Sequence, residues 1–332
     1  DVRVVPMESF GAAAQYFTGS KAHNVRLREI AVRAGMKLNE YGLFAGERPA
    51  AGGDEEGIYA ELGLAYVEPF LREDRGEIEA ARESRLPKLV EFADIRGDLH
   101  MHTAASDGRC EPEELASVAR ELGYAYICIT DHSQSSHVAN GLTAERLKRQ
   151  IEQVRRLDAK TRGIAVLIGS EVDILADGSL DFEDALLAEL DFVIASVHSG
   201  LGGAGEKATT RTLKAMDNPY VNCIAHPTGR LLGQREPMEI DIGRVIEHAA
   251  ATGTALEINA NPWRLDLKDT HVRMAIEAGA KVCIGTDAHS TEGFGVMGFG
   301  LTTAGRGWAT KADVLNALPL SGIRKWVADK RP

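Results

Sequence analysis

From residue 95 onward, short β-favouring runs alternate with helical stretches, and this alternation restricts the chain to a parallel α/β architecture. The runs are "DLHMH", "AYICIT", "IAVLIGSEV", "LDFVIASV", "VNCIAH", "ALEIN" and "KVCIGTD". Between them lie amphipathic stretches that predict helices over 112–122, 144–160, 242–252 and 270–278. The first has Pro112 at a favourable first-turn position and Gly123 after its end. Strands that read as continuous apolar runs belong to sheets covered on both faces. Seven such units in the 332-residue chain suggest a closed barrel related to the eightfold type, with a doubly wound open sheet as the rival.

The ends of these runs carry unusual chemistry. His100 and His102 are two residues apart on the first strand, so both leave one face. His132 follows the second strand, Glu171 ends the third, His198 the fourth and His226 the fifth. Asp287 and His289 end the seventh, and Asp107 sits in the loop after the first. Six of the ten histidines thus fall at C-terminal strand ends, the face where barrel enzymes build their sites. Any one of these residues could be an ordinary hydrogen-bonded core residue. Nine of them converging unpaired would be costly to bury, and metal is the simplest compensation. Imidazole and carboxylate without cysteine suit Zn, Mn or Fe. The formal net charge of −11 argues, by itself, against a general nucleic-acid binder, and divalent ions would offset part of it.

The segments "DLHMHT…SDG", "ITDHS", "GSEVDI", "SVHSG", "AHPTGRLLG" and "GTDAHS" resemble the PHP (polymerase and histidinol phosphatase) superfamily across roughly residues 95–305. The resemblance implies a distorted seven-stranded (β/α) barrel with three divalent metal ions, Mn or Zn or else Fe. One would be held by His100, His102, Glu171 and Asp287. A second would be held by His132, Glu171 and His198, with Glu171 bridging, and a third by Asp107, His226 and His289. Several members carry histidine where Asp107 stands, a departure that bears on metal preference. The implied chemistry is phosphoester hydrolysis by water, with Glu171, Asp287 and His198 at the reacting centre and no Ser or Cys nucleophile. Arg230 and Arg235, in the loop after His226, are candidate phosphate clamps, with Lys207 and Arg211 weaker ones. His137 lies in a loop that could approach substrate, while His248 and His271 fall in helix candidates as structural residues.

The first 82 residues have a different character. "DVRVVP", "YFTGSKAHNVRLREIAVRAGMKLNEYGL" and "GIYAELGLAYVEP" resemble the last palm strand and the thumb of family X DNA polymerases, as found in bacterial enzymes that also carry a PHP domain. By that resemblance Asp1 matches a metal-binding carboxylate of the polymerase site. Tyr16, Phe17 and Gly19 match the segment beside the nucleotide sugar, Asn24 a base-edge contact and Arg28 a template contact. No role is assigned to Lys21 or His23. One aspartate cannot hold two Mg²⁺ ions, so this chain is expected not to polymerise by itself. Residues 1–43 carry six Lys/Arg against four Asp/Glu, leaving the excess acid in the remainder. Residues 83–94 are expected to link the thumb to a barrel over 95–332, and the charged stretch 72–88 to be a solvated connection.

The expected function is a metal-dependent phosphodiesterase, a 3'-to-5' exonuclease acting on DNA 3' ends at gaps or nicks, with a deoxynucleotide at the thumb of the full-length polymerase. The alternatives are a small-molecule phosphatase of the histidinol-phosphate type and a catalytically silent scaffold. Four scattered cysteines without a C-x-x-C pair, no signal-peptide pattern and no apolar run near the ~20 residues of a membrane span suggest a cytoplasmic protein without membrane association.

Overall fold

The computed structural model describes residues 2–202 and 205–331, so Asp1 lies outside the described residues. Two compact units divide between Lys88 and Leu89. Leu89–Asp94, expected to be linker, belong to the second unit, where Leu89 pairs with Thr310 and the Val90 N–H donates to the Ala309 carbonyl.

In the first unit, helices α1 (Phe10–Thr18) and α2 (Lys21–Arg33) precede a small antiparallel sheet of β1 (Lys37–Asn39), β2 (Gly42–Ala45) and β3 (Arg48–Ala51). Helices α3 (Glu55–Glu61) and α4 (Glu77–Arg82) follow. Ser20 caps α2 by accepting from the His23 N–H, and Asp54 caps α3 by accepting from Gly57 at 2.6 Å. Leu27, Leu43, Ile58 and Tyr59 form its buried centre. The charged stretch from residue 72 is not the solvated connection its composition suggested. Arg72 is buried against Glu55 at 2.7 Å, Glu77 is buried against His23 at 2.6 Å, and Ile78, Ala80 and Ala81 pack inward. Each of these buried charges has a partner, which is how such a segment can be internal.

The second unit alternates throughout: β4 (Gly97–Asp98), α5 (Pro112–Glu121), β5 (Tyr126–Ile129), α6 (Ala144–Lys160), β6 (Ala165–Asp173), α7 (Asp184–Leu187), β7 (Phe192–Ser196), α8 (Gly205–Met216), β8 (Cys223–Ile224), α9 (Ile242–Thr252), β9 (Ala255–Asn259), α10 (Asp269–Glu277), β10 (Val282–Gly285), α11 (Met297–Arg306) and α12 (Leu320–Lys330). The seven strands are all parallel and in sequential order from β4 to β10. The rival open sheet is excluded because first and last strands meet. Met101 pairs with Ala288, and the N–H groups of Asp287 and His102 donate to His100 and Ala288 carbonyls at 3.0 and 2.8 Å. Lower down, the Asn316 side chain fills the seam. It donates to the carbonyls of Gly97 and Ile284, each at 2.9 Å, and accepts from the Ile284 N–H at 3.0 Å.

Alternation along the strands separates two cores. Residues such as Ile127, Ile129, Ile168 and Val193 pack under the helices. Tyr126, Cys128, Leu167, Phe192, Cys223 and Cys283 form a second cluster with Ile323 and Val327 of α12. With the lower barrel largely filled in this way, the histidines and carboxylates of the strand ends gather on the upper rim. No helix among the described residues is long and apolar enough to cross a membrane.

Candidate metal centre

All nine rim residues converge, and Glu171 is at their centre. Its side chain is 1% exposed. One carboxylate oxygen, Oε2, lies 3.5 Å from His100 Nε2, 3.6 Å from His102 Nε2 and 2.9 Å from His132 Nδ1. The other, Oε1, lies 2.9 Å from His226 Nε2 and 3.3 Å from His198 Nε2. Asp287 Oδ1 stands 3.1 Å from His102 Nε2 and 3.6 Å from His100 Nε2. Further out, Asp107 Oδ2 is 3.4 Å from His289 Nε2 and 3.5 Å from His132 Nε2. Three groups have donor atoms close enough to share an ion: His100–His102–Asp287, His132–Glu171–His198, and His102–Asp107–His132–His289.

The distances depart from the expected partition at His226 and His132, while His132, Glu171 and His198 also remain close enough to share one ion, as expected. His226, assigned beside Asp107 and His289, lies on Glu171 and next to the His198 ring, with centroids 5.4 Å apart. His132 takes its place beside Asp107 and His289, while its second nitrogen still faces Glu171. The reason is sheet order: β8 is next to β7, so the residues at their ends meet, whereas the loop carrying Asp107 leans toward the end of β5. Both His226 and Asp287 adopt positive φ, 27° and 55°, strained values for residues other than glycine that cluster at functional sites.

Electrostatics fit a site built for cations. Burial would raise Glu171 and Asp287, but the neighbouring imidazoles, His198 foremost for Glu171 and His100 for Asp287, outweigh it and hold both well below the carboxylate range. Burial would lower His132 and His198. Glu171 beside both overrides that, leaving them at about 10 and about 9. His102 and His226 are pushed down, by burial first and then by nearby positive charge. Among the described residues the buried Nδ1 atoms of His102 and His226 have no hydrogen-bond partner, a deficit of the kind found where an ion or water is to be bound. Together with the mixed imidazole–carboxylate donor set, these observations fit divalent transition metals.

A set of supporting residues holds the ligands, and the sequence reading passed over them. Glu257 accepts from His100 Nδ1 at 2.5 Å and from the His226 N–H at 2.7 Å, an orientation role typical beside metal sites. A Cβ at Gly285 would lie only 2.3 Å from Glu257 Oε1, so glycine alone leaves room for that carboxylate. Asp131 accepts from the Thr103 N–H and from Gln150, fixing the loop that presents Asp107. Asp173 lies 3.0 Å from His198 Nδ1, and Asn259 donates to Asp287 Oδ2 at 3.1 Å. The available signal was a carboxylate inside an apolar run, as in "ALEIN".

The cluster floors a cavity of about 460 Å³. Arg230 and Arg235 do not line it. Arg230 donates to the carbonyls of Arg264 and Leu265, and Arg235 to that of Gly229, so both brace loops. Arg211 likewise holds the Ser199 carbonyl at 2.7 Å. The arginine in the lining is Arg264, whose Nε stands 3.6 Å from Asp287 Oδ2. His137 also lines the cavity. In the first unit, Phe17 is 55% exposed and Arg28 lies over the Tyr16 ring at 6.0 Å. Asn24 is instead buried, with Oδ1 on Gln15 at 2.6 Å and Nδ2 on the Tyr16 carbonyl at 2.7 Å. It ties down the segment leading to Gly19 and presents no open edge to a base.

A parallel barrel with this histidine–carboxylate rim matches the PHP domain over residues 98–261, and residues 13–73 match the DNA polymerase beta thumb. The chain belongs to the PHP superfamily. It is 30% identical over 214 residues to a protein of Syntrophotalea carbinolica named "Probable phosphatase", covering 61% of this chain and 84% of that one. Across both units it is 44% identical over 330 residues to the DNA polymerase/3'-5' exonuclease PolX of Bacillus subtilis (strain 168), covering 98% of this chain. The chain spans 57% of that relative's length.

Proposed function

We propose that this chain is a divalent-metal phosphodiesterase that removes nucleotides from DNA 3' ends at gaps or nicks, in the setting of a cytoplasmic family X repair polymerase. The observation that carries this reading is the buried Glu171 carboxylate, whose two oxygens each face a separate set of imidazoles. Three ions of the Mn, Zn or Fe type fit the donors. His100, His102, Asp287 and Glu171 Oε2 would hold one, His198, His226 and Glu171 Oε1 a second, and Asp107, His132 and His289 a third.

Such ions supply Lewis acidity and lower the pKa of water. The protein's own part is placement. Glu257 and Asp173 fix the ring orientations of His100 and His198, Asn259 holds Asp287, and Arg264 sets a cation beside the cluster where a phosphoryl oxygen would lie. The polymerase-type thumb favours DNA as substrate over a small phosphomonoester, and the exposed Phe17 and Arg28 with Tyr16 remain its candidate nucleotide and template contacts in a full-length polymerase. Nine converging polar groups disfavour a silent scaffold.

The test is to strip the protein with chelator, restore Mn²⁺, and follow oligonucleotides labelled at either end. Stepwise release of mononucleotides from the 3' end is expected. Digestion from the 5' end, or hydrolysis of monoesters alone, would overturn the proposal.

A further inference from the structure

The cavity has a wall that the metal chemistry does not use. Beyond the cluster, its lining includes Ser135, Ser136, His137, Val138, Ala139 and Leu175. His137–Ala139 form a single helical turn, and Val138 at its tip is 106% exposed, as bare as in an isolated chain. The turn is nonetheless firmly held. The Ser135 N–H and hydroxyl both donate to Asp181 at 2.6 Å, Ser136 donates to Asp173 at 2.6 Å, and the Asn140 amide donates to the Ser106 carbonyl at 3.2 Å. Leu175 joins the lining from a turn closed by its own N–H on the Ser179 carbonyl. A rigid turn therefore carries an uncovered apolar side chain and an imidazole face at the mouth of a strongly polar site.

We propose that His137, Val138 and Leu175 seat the nucleoside of the terminal nucleotide while the rim cluster and Arg264 take its phosphate. This rests on the phosphodiesterase reading and specifies its substrate. The wall carries no lysine or arginine, so it offers nothing to a second phosphate; Arg264 is the one such cation in the lining among the described residues. Apolar and ring surfaces are what a base covers by stacking, and stacking tolerates every base. The Ser135 and Ser136 hydroxyls, which could read base edges, donate instead to Asp181 and Asp173. About 460 Å³ lies within the size range of small-molecule pockets and has room for one nucleotide.

Calorimetric titration of the Mn²⁺-loaded protein with thymidine 5'-monophosphate and with methyl phosphate tests this without turnover. The nucleotide is expected to bind at least about fivefold tighter than methyl phosphate, the lower end of what stacking contributes. Val138→Ser combined with His137→Ala, at two exposed positions, should bring the two affinities within about twofold by weakening only the nucleotide. Equal affinities in the wild type, equal losses of both ligands in the variant, or no binding of either would overturn the proposal. Hydrolysis of the p-nitrophenyl ester of thymidine 5'-monophosphate is read separately. Preferential nucleotide binding without that hydrolysis would sink the phosphodiesterase reading and leave the seat standing.

Discussion

Glu171→Gln keeps the size of the side chain while removing the charge that lets both oxygens face imidazoles. We expect it to lose more than one ion per chain by metal analysis and to lower hydrolysis by at least about 100-fold; full occupancy would refute a bridging role. In a Mn²⁺-loaded crystal, anomalous peaks should show His226→Ala depleting the ion beside His198, and His132→Ala the one beside Asp107 and His289. The reverse pattern would restore the partition expected from the sequence. Arg264→Ala should raise KM for oligonucleotides with metal content unchanged, whereas Arg230→Ala should lower Tm and leave KM alone. Each candidate ligand was legible as a residue type at a strand end or, for Asp107, in the loop that follows one. Their grouping was not, because it depends on which strand ends become neighbours on a curved rim. Arg230 and Arg235 misled for a related reason: sequence proximity to His226 says nothing of direction, and their guanidinium groups turn to carbonyls.

At the level of elements, the seven strands and four helices were visible because apolar runs and helical periodicity alternate cleanly. The closure was invisible, since it depends on a side chain between distant segments. Asn316→Ala would leave buried polar groups of Gly97 and Ile284 unpaired, and a loss of about 2–4 kcal/mol is expected from denaturant unfolding. A change under about 0.5 kcal/mol would mean the seam holds without it. Lys330, near the end of α12, donates to the Val221 carbonyl and Thr254 hydroxyl, and burial lowers its pKa from 10.5 to about 8. Its folded value lies below its unfolded one, so between pH 8 and 10.5 the unfolded chain holds the extra proton and stability rises with pH. The Tm of the wild type relative to Lys330→Met should therefore climb from pH 8 to 10; a flat difference would mean the amine is not desolvated. The same helical reasoning failed for α4, whose Glu77 looked solvated and is buried against His23.

For the whole molecule, removing residues 1–88 should leave hydrolysis of bis-p-nitrophenyl phosphate nearly intact while weakening DNA digestion and flattening its salt dependence, because fewer phosphates are contacted. Equal losses on both substrates would give the first unit a folding role instead. Two units were legible from the change in composition and the two resemblances. The residue at which they divide was not, because Leu89 and Val90 join the barrel through backbone pairing that leaves no mark on residue type. The seam between first and last strands has a consequence for the chain's life on the ribosome. His100 and His102 leave the ribosome well before Asp287 and His289, which complete their groups and come almost 190 residues later, as the 188-residue span from Asp98 to its seam partner Thr286 measures. A chain halted before β10 cannot assemble the cluster, so any ion held there must wait until translation has passed His289.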